Sequence, residues 1–274
     1  MGDTAQTAQQ VTAEHGTEWK DRLGRIGLAG RGVLYAIVGL LALQLALGSP
    51  DEEASTQGAM AWIAEQPFGK FLLVALTISL FALAAWRFLD AAVGDPVEGD
   101  DASDRVRFAA KGVVYLVLAI AALSTTAASW NAASSSSGGG GEAEQRAADT
   151  VLDWPMGQWI VAIAGLALIG YAIYMFQRHA MDATFMERLA GGSDTVERLG
   201  RAGYAARSVV WSVIGILLIQ AAVTYDPEKA GGLSAALQEL AGASWGRLLL
   251  IVVAAGLFAF GAFCLAEARF RRAA

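Results

Sequence analysis

The chain has 274 residues, 55% of them hydrophobic and only 17% charged, with a mean hydropathy of +0.44; soluble domains of this length usually carry about 25% charged residues. The polar surface needed to stay in water is missing, and the formal charge of -6 comes without a basic stripe interleaved with aromatics, so nucleic acid is not an expected partner. A single cysteine, Cys264, excludes an intramolecular disulfide and a cysteine-built metal cluster.

Residues 1–21 are polar and lack the basic, then apolar, pattern of a signal peptide, so a mobile N-terminal tail is expected there. Six apolar stretches follow, at 32–47, 68–89, 108–129, 156–176, 204–224 and 245–265. About 20 apolar residues rising ~1.5 Å each cross a hydrocarbon core of ~30 Å. Six such stretches in so short a chain leave nothing to cover them except lipid. They are continuously apolar rather than alternating, which favours spanning helices over barrel strands. Arg31, at the edge of the shortest stretch, must snorkel if that stretch is to span.

The first pair of stretches, residues 22–93, opens with "RLGRIGLAGRGVLY": Arg25 and Arg31 are followed by Tyr35, and then by Gln44 inside the apolar run. A short segment with Met60 and Ile63 on one face precedes "QPFGKF", where Gly69 opens the second stretch; Trp86 and Asp90 close it. Residues 104–183 repeat the plan. Arg105, Lys111, Tyr115 and Ser124 fall at the same offsets, then Ala148 and Val151, then Gly157 in "WPMGQW", Tyr174 and Arg178. Residues 194–272 repeat it again, with Arg201, Arg207, Trp211, Gln220, Leu237 and Leu240, Gly246 in "ASWGRL", Phe263 and Glu267. Asp194 with Glu197 predicts a capping box at the start of this third unit. The short segments before each second span are expected to lie flat at the outer surface.

Each hairpin enters and leaves on one side, so the copies are parallel repeats rather than the inverted ones common in alternating-access carriers. The expected fold class is an all-α integral membrane protein, with six transmembrane helices arranged as three parallel-repeat helical hairpins of approximate threefold pseudo-symmetry about the membrane normal. Of the 20 lysines and arginines, all but Lys70, Arg146, Lys229 and Arg247 fall on the side of the termini. The positive-inside rule therefore places both termini in the cytoplasm of a bacterial cytoplasmic membrane.

The "LGRxGxAxR" opening, the aromatic four residues later and the Glu267, Arg269 exit resemble a bacterial six-span family, common in actinobacteria, catalogued as domain of unknown function 1206. The likeness runs from Leu23 to Arg272 and implies three repeats of a paired-helix module with no assigned reaction. The middle unit departs from the pattern: Arg107 replaces a glycine of the motif, and Arg178 stands where the other copies carry acids.

The repeated cations Arg25, Arg31, Arg105, Lys111, Arg178, Arg201 and Arg207 are expected as interface anchors and lipid contacts, or as a ring that binds an anion. A cation at a helix start is badly placed for the macrodipole, so pairs are predicted: Arg31 with Asp90, Arg207 with Glu267 and Arg178 with Asp182. Gln44, Ser124 and Gln220 point away from the stripe shared by Arg31 and Tyr35, and are expected to bond across helices or reach the outer interface. Tyr35, Trp86, Tyr115, Tyr174, Trp211 and Phe263 are belt or packing aromatics, while Gly39, Gly165, Gly170, Gly215, Gly256 and Gly261 allow close helix approach. His15 and His179 are isolated in sequence and make no metal site. No nucleophile elbow, phosphate loop or zinc motif is present, so neither enzyme chemistry nor a cofactor is expected. The expected role is a non-enzymatic scaffold or accessory protein that binds membrane lipids or a partner membrane protein. The alternative is a small channel or transporter with a path along the pseudo-threefold axis or between hairpins.

Overall fold

The computed structural model describes residues 2–48, 54–66, 69–94, 101–130, 148–154, 156–191 and 193–270. Six long helices carry the fold: α1 (Gly2–Leu47), α3 (Gly69–Val93), α4 (Ala102–Trp130), α5 (Gly157–Met175), α6 (Asp194–Thr224) and α8 (Gly246–Phe270). Two short ones, α2 (Thr56–Glu65) and α7 (Leu233–Gly242), precede α3 and α8. Each long helix contains a stretch long and apolar enough to cross a membrane. Their outward faces carry Phe71, Val117, Ile163, Val223 and Leu248, all exposed. Water would not tolerate so continuous an apolar surface; lipid solvates it, and the chain is a six-span membrane protein.

The polar N-terminal segment is helical from Gly2 and continuous with the first span. One expectation about a helix end is corrected. At the third unit the N-cap is Ser193, whose hydroxyl accepts the Val196 N–H at 3.4 Å, while Glu197 pairs with Arg201 instead of closing a box. The tract 134–144, expected as an outer loop, lies outside the described residues.

The second span of each hairpin packs on the first span of the next: α3 on α4, α5 on α6, and α8 back on α1. This cyclic order closes the bundle into a ring. Small residues sit at each crossing, because helices driven together by van der Waals contact must bring their backbones close. A Cβ on Gly165 would stand 2.6 Å from the Gly215 carbonyl oxygen, and one on Gly215 would stand 2.7 Å from that of Gly165. The repeat-related crossing places Gly39 against the Ala254 carbonyl. At the third, Ala119 and Thr77 occupy the same register, both buried. The turns into the second spans are alike as well. Gly69, Gly157 and Gly246 donate their N–H groups to the carbonyls of Gln66, Trp154 and Ala243 at 2.7, 2.9 and 2.7 Å. Any side chain on them would overlap the carbonyls of Ile63, Val151 and Leu240.

The symmetry fails at one seam. Within the first hairpin α1 packs on α3, and within the third α6 packs on α8, whereas α4 and α5 of the middle hairpin have next to no contact. The opening motif differs at the same place. Gly27 lets α3 approach until a Cβ there would be 2.5 Å from that of Leu83, and Gly203 does the same against the Phe260 backbone at 2.6 Å. Arg107 holds this position in the middle copy, largely exposed and paired with Asp104 on its own helix, so the close glycine approach of the other two hairpins is absent there.

The short segments also differ from expectation. Ser55, Ala59, Met60 and Ile63 of the α2 region are buried, as are Ala236, Leu237 and Leu240 of α7. These helices fold into the hairpin-turn end of the bundle, on α1, α3 and α4 for α2 and on α6 and α8 for α7. They do not lie flat at its surface, since their apolar sides find protein to bury against.

Candidate functional site: a central cavity lined by cations

Inside the ring lies a cavity of about 560 Å³. Arg31, Lys111 and Arg207, which occupy one repeated position, all line it, and so do Tyr35, Tyr115 and Trp211 one turn later. Residues four apart share a helix face, and on the first span of every copy that face is the inner one. The repeated phrase therefore converges on one space. Arg87, Arg107 and His179 add to its wall, and no Asp or Glu does so among the described residues.

Arg31 does not snorkel towards lipid. Its guanidinium carbon lies 4.9 Å from the ring centre of Phe260 and 5.7 Å from that of Tyr35. That of Arg207 lies 4.5 and 5.2 Å from the same two rings. The two guanidinium carbons are thus no farther apart than the sum of their distances to Phe260, itself fully buried. At ~9 Å and an effective dielectric constant of about 20, two like charges repel by about 2 kcal/mol. Arg207 is only 9% exposed, and the Nε atoms of both arginines are buried without a hydrogen bond.

The predicted ion pairs do not form. Asp90, fully buried, accepts from Arg87 at 3.1 Å, one turn away on α3, rather than from Arg31. Glu267 is buried on α8 but makes no salt bridge with Arg207, which keeps to its aromatic rings. Arg178 makes none with Asp182: it is exposed in a π-helical turn, Phe176–Met181, and its carbonyl accepts from the Thr184 hydroxyl at 2.7 Å. The other repeated cations form an outer set near the terminal end of the bundle. Arg25 is exposed, Arg105 donates to the Ala92 carbonyl at 3.2 Å, and Arg201 binds Glu197 at 2.7 Å.

His179, isolated in sequence, reaches the cavity through that same turn. Because the Thr184 hydroxyl donates to Arg178, it accepts from His179 Nδ1–H at 2.9 Å. The ring lies 4.5 Å from that of Tyr204, edge on. Among the other aromatics, Trp86 is buried under the Arg87 guanidinium at 4.2 Å, Phe263 is buried beside Phe185, and Tyr174 is exposed on the lipid face. Gln44, Ser124 and Gln220 lie off the cavity. Ser124 is exposed and donates to the Ala121 carbonyl at 2.7 Å, Gln220 is exposed, and Gln44 is half-buried. Thr56, at the α2 N-terminus, lines the cavity, so the cavity reaches α2.

Sequence reasoning missed Arg87, Arg107, His179 and Phe260 as parts of this site. Phe260 could have been found, because it sits where Leu83 and Tyr171 stand in the other copies, three residues before the repeated aromatic. His179 could not, since it depends on a turn that only the middle copy shows. Such an arrangement can hold an anion; it offers no metal-ligand cluster of His, Cys, Asp and Glu among the described residues.

A family described as Domain of Unknown Function (DUF1206) matches the chain three times, at residues 26–94, 106–178 and 202–271, once on each hairpin. The chain belongs to this family. A DUF1206 relative, the uncharacterized protein YxxB of Bacillus subtilis (strain 168), is 31% identical over 258 residues, covering 90% of each chain. No solved structure matches.

Proposed function

We propose that this membrane protein is a non-enzymatic binder of an amphiphilic anion, held in the central cavity, with both termini in the cytoplasm of a bacterial inner membrane. One observation carries the reading: Arg31 and Arg207 stack on the same buried ring and, among the described residues, no carboxylate forms a salt bridge with either. Taking a charge out of water costs several kcal/mol unless a counter-charge and hydrogen bonds compensate. An anionic group between the two guanidiniums supplies both. The walls of Leu34, Val38, Tyr115 and Trp211 suit an apolar body, and the volume falls within the ~300–1,000 Å³ typical of ligand pockets. The excess of Lys and Arg on the terminal side supports the orientation.

A through-going pore has less support, because Gln44, Ser124 and Gln220, the repeated polar residues farther along the first spans, do not line the cavity. A partner-protein scaffold has less as well, because Arg31 and Arg207 face inward. The test is thermal unfolding of the purified protein in neutral detergent, with dodecyl phosphate or an uncharged dodecyl glycoside added. Binding to the folded state raises Tm by mass action, by about 2.7 kcal/mol of stability at ~100 Kd. The phosphate should raise Tm in the wild type and not in R31Q/R207Q. Equal responses to both additives would remove the reading.

A further inference from the structure

The seam between α4 and α5 identifies the kind of anion and its route in. Resting on the cavity being an anion site, we infer that the occupant is a membrane phospholipid with an anionic headgroup, which enters sideways between α4 and α5. Several residues along this seam line the cavity and are also exposed. Val114 on α4 is 58% exposed and Tyr171 on α5 is 44% exposed, and both belong to the cavity wall. Because α4 and α5 have next to no contact, these exposures mark a wall open between the two helices. Ala110, Leu118 and Leu168 complete the edges of the opening, so the passage is apolar and faces the hydrocarbon. The other two hairpins have no such passage, because Gly27 and Gly203 hold their spans in contact.

The geometry suits a molecule with two unlike ends. The cations sit near the terminal end of the helices, and Leu118 lies seven residues deeper than Lys111, about 10 Å along the helix axis. A headgroup phosphate at Arg31, Lys111 and Arg207 would leave its acyl chains at the level of Val114 and Leu118, from which they pass through the seam into the bilayer. A wholly water-soluble anion would meet apolar walls it cannot use, and a neutral lipid would leave the arginines without a counter-charge. Charge complementarity and an apolar exit therefore select an acidic phospholipid.

The experiment uses the full chain in nanodiscs containing phosphatidylglycerol and phosphatidylcholine, with retained lipid read by native mass spectrometry and exchange followed with deuterated lipid. The wild type should retain phosphatidylglycerol over phosphatidylcholine by about tenfold, equivalent to ~1.4 kcal/mol. R31Q/R207Q should lose that preference, and R31K/R207K, which keeps the charge, should retain part of it and so control for folding. V114W/A164W narrows the seam, since Ala164 lies seven residues before Tyr171 on the same helix face. It should slow exchange about tenfold, whereas I163W, on the lipid side away from the seam, should not. Wild-type preference in R31Q/R207Q would overturn the anion site and this inference with it. Loss there, with unchanged exchange in V114W/A164W, would overturn the sideways route alone. Binding of glycerol 3-phosphate in place of phosphatidylglycerol would overturn the lipid and leave the anion site standing.

Discussion

A guanidinium laid over a phenyl ring gains about 0.5–2 kcal/mol from the ring quadrupole, which does not replace a counter-ion for a charge withdrawn from water. Arg207 and Arg87 make that difference measurable. Both are buried, but Arg87 faces the carboxylate of Asp90 at 3.1 Å, whereas Arg207 lies over the rings of Tyr35 and Phe260 and, among the described residues, forms no salt bridge. Arg87→Met leaves a carboxylate without its arginine in a fully buried place and should cost about 3–5 kcal/mol. Arg207→Met removes one of two repelling charges and, in anion-free detergent, should be neutral or stabilising by about 1–2 kcal/mol. Denaturant titration in detergent separates the two, and equal losses would mean that Arg207 has a structural counter-charge after all. The positions of Arg31 and Arg207 were legible in the sequence, because each copy repeats them. Their direction was not. Spacing fixes which residues share a stripe on a helix, while the partner of that stripe depends on how the ring closes, and it is that closure which brings Phe260 beside both arginines.

At the level of the helices, glycines that look alike in sequence do unlike work. Gly165 and Gly170 lie on the same span, and close packing was expected of both. Gly165 meets the Gly215 carbonyl, whereas a Cβ on Gly170 would find nothing within 4 Å. Gly165→Ala should therefore destabilise by about 1–3 kcal/mol through overpacking. Gly170→Ala should stabilise by up to ~1 kcal/mol through helix propensity. Thermal melts of the two variants, read against the wild type, would contradict this packing if they moved the same way. The departure of Arg107 from the motif was equally plain in the sequence. What accompanies it was not, because the parting of α4 and α5 is visible only beside the two copies in which glycine lets the spans touch. Placing spin labels on α4 and α5, and in turn on the equivalent pair α1 and α3, should give the longer distance for the middle hairpin; equal distances would mean that the seam is closed.

At the level of the whole molecule, six spans and three repeats followed from composition and repetition, because lipid leaves helices few alternatives. What composition could not give was the broken symmetry, which turns a ring of equal hairpins into a vessel with one open side. The orientation rests on the distribution of Lys and Arg, and it predicts the labelling of single cysteines in a Cys264→Ala background. A cysteine at Trp245, 81% exposed at the hairpin-turn end, should react with a membrane-impermeant maleimide in intact cells. One at Arg198 should react only after the membrane is opened, and the reverse pattern would invert the topology. The most direct test of the central claim, that the inner cations form an anion site, is a high-resolution density map of the protein in nanodiscs of acidic phospholipid. The account predicts anion density within hydrogen-bond distance of both the Arg31 and Arg207 guanidiniums, flanked by Phe260. A map in which these arginines instead bind Asp90 and Glu267, with no density between them, would contradict it.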